Sequence, residues 1–336
     1  MTDIKKQLQC YLRRNYLHQQ ELKIELAEMT QGWETELKRL DLTYTSDNEC
    51  HHCSQVIRIF PGSNGKEKAE KEHYIMRHLN KVGYPVSKVR LIETTGNVVG
   101  KPFITMEYIP GARLTESITT KEEEEKAVRV MMWLLVRLHD IDPREVYPDA
   151  MLPTTQEAVE RYLGYHNAFL EETGNKMLTS VAKWLRERRS GIPETEPSML
   201  HGDYHADNIL VRDNGEPVVI DWGASKIGDP REDLSWTMLL HSIYGDIQAG
   251  SRLIESYRAL SSRPVEDIDY FLVMSVIRRL VDMLYSLFAG SEAKGMRKET
   301  VKLMKANKEQ YMKAYSILKD ITGLKLEELH SYLSKM

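Results

Sequence analysis

The sequence predicts an α+β chain in two parts: a small, strand-rich amino-terminal lobe over residues 1–109 and a large, mostly helical carboxy-terminal lobe over 110–336. Three observations predict it. Stretches of period-two alternation cluster before residue 110. Pro110-Gly111 then breaks the chain at a change of pattern. Beyond it helical periodicity dominates, except in one segment around residues 199–223. At 336 residues the chain exceeds one typical core and suits two.

Taken in order, Thr2 to Gln20 predicts an amphipathic helix, with Ile4, Leu8, Tyr11, Leu12 and Tyr16 at helical spacing. Leu22–Met29 and Thr35–Thr45 alternate as strands about Gly32, and Ser54–Phe60 reads as a third. "KEKAEKEHYIMRHLNKVG" predicts a helix ending at Gly83, with Tyr74, Ile75, Leu79 and Val82 as its apolar stripe. "KVRLIET" and "KPFITMEYI" read as two strands around the turn Thr95-Gly96-Asn97. Past residue 110, Thr119 or Thr120 caps a helix whose first turn carries the carboxylates of "KEEEEK". Its continuation, Ala127 to Leu138, is apolar on most sides and reads as buried. "NILVRD" and "PVVIDWG" read as a hairpin turned by Asn214-Gly215.

Composition narrows the function. A net charge of −4 and a pI of about 6.3 argue against a nucleic-acid partner, which calls for a basic excess. The longest apolar run, Val130–Val136, falls far short of the ~20 residues of a membrane span. Three cysteines, Cys10, Cys50 and Cys53, make no disulfide framework and suit a reducing compartment. The amino terminus lacks the apolar stretch of a secretion signal. The expectation is a cytoplasmic protein with neither nucleic-acid nor membrane partners.

The chemistry concentrates in "MLHGDYHADNILV", Met199–Val211. His201 and His205 are four apart, as in a zinc-binding helix. But Gly202 stands where such a motif has its glutamate, and the segment is poor helix material. The spacing that fits better is that of Asp203 and Asn208, five apart, with His201 two before the aspartate. It is the catalytic-loop pattern of phosphoryl transfer, His-x-Asp-x-x-x-x-Asn. Downstream, Asp221-Trp222-Gly223 matches the metal-holding Asp-Phe-Gly in two of three positions. The loop and hairpin are expected to bring Asp203, Asn208 and Asp221 to one cleft. Asp203 would accept the proton of an attacking hydroxyl. Asn208 and Asp221 would give oxygen ligands to Mg2+. His201 reads as a brace, Asp207 as a turn residue, and His205 has no assigned role.

"HGDYHADNILV", "VVIDWG" and "DPREDLSW" together resemble the aminoglycoside phosphotransferase and choline kinase-like family of small-molecule kinases. The resemblance runs through most of the chain. It implies a two-lobed protein-kinase-like fold with a nucleotide-binding first lobe and an acceptor-binding second one. ATP or GTP and Mg2+ are then the cofactors, and the partner is a small molecule bearing a hydroxyl. Gly32 would stand at the nucleotide loop, although a full GxGxxG is missing. Arg58, at the position often held by lysine, would contact phosphates with Glu72 as its partner. Met106 would be the gatekeeper, with Glu107 and Ile109 offering backbone groups to a purine. His139 matches the end of the helix before the acceptor region, and Asp233 matches an aspartate that braces the catalytic loop.

Other readings remain in view. A protein kinase fits less well: no Ala-Pro-Glu follows Asp221, and only seven residues separate Gly223 from Arg231. A nucleotide-binding module without catalysis would not need the full Asp203, Asn208 and Asp221 set. Cys50-His51-His52-Cys53 offers four soft ligands, yet adjacent residues close a zinc tetrahedron poorly, so an exposed turn is expected there. For the acceptor, Asp229, Glu232, Trp236, Asp267, Asp269, Tyr270 and Asp282 are candidates. Trp236, Leu239, Leu240 and Ile243, at helical spacing, read equally well as core, and Arg278-Arg279 would suit an anionic group.

Overall fold

A computed structural model describes residues 2–17, 21–29, 35–46, 49–245, 247–288 and 306–336. Gly32, expected at the nucleotide loop, lies outside the described residues. The chain divides into two compact units, 1–112 with 210–223, and 113–209 with 224–336. The sequence places one boundary near residue 110; the observed division is discontinuous, because the hairpin after the catalytic loop groups with the first unit.

The first unit is built on a five-stranded antiparallel sheet in the order β1-β2-β3-β5-β4: β1 Leu22–Glu28, β2 Glu36–Ser46, β3 Glu49–Ile59, β4 Val89–Glu93 and β5 Phe103–Glu107. Leu22 and Ile24 are buried while Lys23 and Glu25 are exposed, which is the alternation of a half-covered strand. Helix α1, Thr2–Leu12, covers that face by setting Leu8 and Leu12 against Leu40, Leu42, Ile57 and Phe103. The helix is shorter than its periodicity predicts, since a π-type turn takes over at Arg13–Leu17. Helix α2, Gly65–Lys81, packs Ala69 against Phe60 and Ile104. Its buried stripe runs through Glu72, Ile75, Met76 and Leu79, and Tyr74 is exposed instead.

Strand β3 starts five residues earlier than the sequence suggests and absorbs Cys50 to Cys53. The expected exposed turn is therefore the start of a strand laddered to β2. Alternation sends Cys50 and His52 to one face and His51 and Cys53 to the other. On the first face, Thr43 Oγ1 lies 3.0 Å from His52 Nδ1. On the second, His51 stacks on Tyr44. Adjacent ligands split in this way cannot converge on one ion, and no three His, Cys, Asp or Glu side chains cluster for a metal among the described residues.

The small strands β6 Gly111–Arg113, β8 Ile209–Arg212 and β9 Pro217–Val219 form a sheet in the order β6-β8-β9. Within the first unit Gly111, at φ +145°, lies where a Cβ would sit 2.0 Å from the Val211 carbonyl oxygen. Only glycine tolerates that approach.

The second unit is helical around α7, Pro230–Tyr244, and α9, Ile268–Phe288. Leu239, Ile243, Phe271, Val273, Ile277 and Leu280 meet in one core with Leu163 and Phe169 of α5, Thr155–Thr173. Three of its helices start at capping boxes, and the sequence anticipates the first of them. Thr120 and Glu123 form a capping box at the head of α3, Lys121–His139. Thr154 and Glu157 do the same for α5, and Asp229 with Glu232 for α7. Two strands the sequence does not announce, β7 Ser198–Leu200 and β10 Lys226–Gly228, pair antiparallel beneath the catalytic loop. Three residues each are too short to show a period. Among the described residues, no helix is long and apolar enough to cross a membrane.

His166 of α5 is buried in this core at 1% exposure. Burial, helped by the nearby Arg186 guanidinium, lowers its pKa to about 4. The unfolded chain then takes up the proton first. The stability this residue contributes is complete above the ordinary histidine value and is lost as pH falls toward 4. Replacing His166 by leucine should flatten the acid limb: the fall in unfolding free energy between pH 7 and 4.5, from urea titrations, should shrink by up to about 2 kcal/mol.

Candidate active site

The catalytic loop is held from below by one buried carboxylate. Asp233, in the first turn of α7 and 1% exposed, accepts from the backbone N–H of His201 (2.7 Å) and of Gly202 (2.8 Å). His139, at the end of α3, places Nε2 3.5 Å from the same carboxylate and Nδ1 2.9 Å from the Tyr257 hydroxyl. Burial would raise the Asp233 pKa, but His139, His201 and the backbone donors outweigh it and hold it below the usual range. Asp233 thus braces the loop as the resemblance implied.

Gly202 follows from the same packing. Its φ is +80°, and a Cβ would meet the Ala224 carbonyl oxygen at 2.3 Å. A side chain at this position would collide with the backbone that enters β10. His201 is fully buried, its ring edge-on to Tyr204, and its Nδ1 lies 3.3 Å from the Asp203 amide. It is a brace and carries no exposed imidazole.

The Asp203 carboxylate is partly exposed. Its Oδ1 accepts from the Trp236 indole N–H at 2.7 Å, and its Oδ2 lies 3.8 Å from His205 Nε2. Burial alone would raise its pKa; His205, Arg278 and Trp236 together outweigh burial and hold it well below the carboxylate range. Asn208 Nδ2 donates to the Asp203 carbonyl (2.9 Å) and lies 3.1 Å from His205 Nε2. With the amide nitrogen engaged twice, Oδ1 faces away from both partners and can serve a hard cation.

In the first unit, Arg58 of β3 bridges two carboxylates. It lies 3.0 Å from Glu72 of α2 and donates to Asp221 Oδ1 at 2.7 Å. The guanidinium fork makes this double engagement possible; a lysine would offer one point charge. Burial pushes the Glu72 carboxyl up to about 7 against the pull of Arg58. Asp221 has φ +67°, a left-handed conformation that costs a non-glycine residue on the order of 1 kcal/mol or more. It aims the carboxylate while the neighbouring Trp222 is fully buried, edge-on to Tyr84, with its indole N–H on the Val219 carbonyl. Oδ1 is taken by Arg58, which leaves Oδ2 as an oxygen suited to Mg2+.

The hinge residues are placed differently from one another. Met106 is paired with Val56 in the sheet. The Glu107 amide donates to the Lys88 carbonyl, and the Glu107 carbonyl already accepts from Ser87 Oγ at 2.8 Å. Its second lone pair is what it can offer a purine. Ile109 is buried, and its amide donates to no acceptor among the described residues.

Several acceptor candidates have other work. Asp229 is 2% exposed, caps α7 and forms a buried ion pair with Arg231 at 2.7 Å. Glu232 returns to the Asp229 amide and pairs with Lys226. Tyr270 donates to the Leu185 carbonyl inside the core. Asp267 and Asp269 line a cavity of 540 Å³ with Trp184 and Arg188, none of it formed by the catalytic loop. Asp282 accepts from the Tyr165 hydroxyl at 3.0 Å. The sequence left His205 without a role and Trp236 between acceptor candidate and core; His205 lies between Asp203 and Asn208, and the Trp236 indole donates to Asp203. The signal for Trp236 was its place three residues after the bracing Asp233, on the same side of the helix.

The profile of the phosphotransferase enzyme family matches residues 45–267. The chain belongs to this family. Its curated relatives include acyl-CoA dehydrogenase family member 10 of Mus musculus, 26% identical over 188 residues, or 51% of this chain and 17% of that protein. The chain spans less than a quarter of the length of the first such relatives it matches. Among solved structures, this phosphotransferase family member is similar to a putative aminoglycoside phosphotransferase from Ralstonia eutropha JMP134. The TM-score is 0.63 and the identity 19%, over 93% of this chain and 98% of that one. It is also similar to a thermostable mutant of aminoglycoside phosphotransferase APH(4)-Ia, solved as a ternary complex with ADP and hygromycin B. Here the TM-score is 0.61 and the identity 13%, over 93% and 98% of the two chains. These likenesses establish the protein-kinase-like fold.

Proposed function

We propose that this phosphotransferase moves the terminal phosphoryl group of ATP to a hydroxyl of a small molecule. The observation that carries the reading is the braced loop that holds the Asp203 carboxylate ionised beside Asn208. Phosphoryl transfer asks a protein for positioning and charge neutralisation. Asp203 orients the acceptor hydroxyl and takes its proton. Because its pKa is depressed, it is a weak base, which suits a loose transition state in which the hydroxyl proton leaves late. Arg58, oriented by Glu72, neutralises nucleotide phosphate charge. Asn208 and Asp221 would hold Mg2+, which when bound offsets phosphate charge. The Ile109 amide and the Glu107 carbonyl are the backbone groups available to a purine.

The ADP-bound neighbour supports ATP as the donor. A protein kinase is disfavoured, since β10 and α7 begin directly after Gly223 and leave no length for an activation loop. The test is nucleotide consumption with ATP and GTP over panels of aminoglycosides, amino alcohols and sugars, with mass analysis of products. A product heavier by one phosphoryl group is expected from one panel. Mg2+-dependent nucleotide binding with no phosphorylated product in any panel would favour a non-catalytic binding module.

A further inference from the structure

We infer that Trp236, clamped by Arg278, is a positioning residue that selects which oxygen of Asp203 receives the acceptor hydroxyl. The inference rests on the phosphotransferase reading above. The indole N–H donates to Oδ1 at 2.7 Å, an ordinary length for a charge-assisted bond. The ring is 5% exposed on α7 and cannot swing away. Arg278 of α9 lies over the indole, 3.9 Å from its centroid, and donates to the Gly202 carbonyl at 2.6 Å. One guanidinium therefore fixes both the indole and the residue before Asp203.

The consequence is an asymmetric carboxylate. Oδ1 is occupied. Oδ2, 3.8 Å from His205 Nε2, is beyond hydrogen-bond reach of it and is the oxygen left to accept a proton. A carboxylate free to rotate about χ2 would present either oxygen, and the attacking hydroxyl would lose its fixed direction. Burial in a core does not by itself call for this arrangement. Trp236 shares its stripe with Leu239, Leu240 and Ile243, where a phenylalanine would fill the space without an N–H to satisfy.

Two measurements test this. The first is ADP release from MgATP with water as the acceptor, alongside calorimetric binding of Mg-AMP-PNP. Trp236→Phe, which keeps a ring beneath Arg278, should lower kcat roughly 10–100-fold, the worth of one hydrogen bond to a charged group. Nucleotide KM and AMP-PNP affinity should stay within about twofold, a split that general unfolding would not produce. The second is ¹⁹F NMR of protein labelled with 5-fluorotryptophan. The Trp236 resonance, identified by its loss in Trp236→Phe, should move in Asp203→Ala. Wild-type kcat in Trp236→Phe where Asp203→Ala is inactive would overturn the positioning role and leave the function standing. Full turnover in both variants would overturn the function and the role together. An unmoved ¹⁹F resonance in Asp203→Ala would overturn the contact itself.

Discussion

Asp203→Ala lowers kcat by roughly 10²–10⁴ while nucleotide binding persists. The size follows from what the side chain does. It supplies the acceptor's orientation and the proton's destination, and neither is needed to hold the nucleotide. The phosphate and purine contacts proposed above come from Arg58, Glu107 and Ile109, on other elements. Loss of the carboxylate also leaves the Trp236 indole without its acceptor. Some of the cost then falls on the loop, and Asp203→Asn, which can still accept a hydrogen bond, separates the two contributions. Steady-state turnover with the acceptor found by screening, alongside AMP-PNP binding, checks the prediction. Unchanged turnover of that acceptor in Asp203→Ala would remove Asp203 from the reaction.

Asp233→Leu should destabilise the second unit by about 3–5 kcal/mol, the range for removing one partner of a buried charged network. Two backbone donors, at His201 and Gly202, lose their acceptor at once, and each unsatisfied buried donor costs about 1–3 kcal/mol. His139 loses the carboxylate beside Nε2. The effect is also pH-dependent. A carboxylate with a depressed folded-state pKa gives stability that is present above the ordinary aspartate value and lost as pH falls through the folded one. The difference between wild type and Asp233→Leu should therefore narrow in acid. Urea titrations at pH 7 and at pH 3 measure it; a constant difference would mean that the brace acts through shape alone. Asp233→Asn keeps one acceptor oxygen and should lose less.

Much of the fold was readable because its signals are local. The alternation of Leu22 and Ile24 with Lys23 and Glu25 marks a covered strand within four residues. The Thr120–Glu123 box marks a helix start within the same distance. The spacing of His201, Asp203 and Asn208 sits inside eight residues of one loop, so the pattern survives without any knowledge of the neighbours. Failures occur where the signal is short or the partner remote. Strands β7 and β10 are three residues each, below the length at which a period shows. Cys50 to Cys53 read as a turn because polar residues crowd there, yet pairing with β2 draws them into a ladder whose register is set by the strand as a whole.

From the chain alone come the residue types of phosphoryl transfer, their spacing, and the kinds of element that carry them, since backbone hydrogen bonding and periodicity act over one turn or one hairpin. Side chains that meet from different elements were set by packing. Trp236 reaches Asp203 from α7, Arg278 reaches Gly202 from α9, and Arg58 meets both Glu72 and Asp221, each because a buried helix or strand has one orientation that fills its core. Such pairings depend on shape complementarity between elements distant in sequence. That is why an indole readable as either acceptor contact or core proved to be a hydrogen-bond donor to Asp203, and why Asp229, a candidate for the acceptor, proved to be a helix cap.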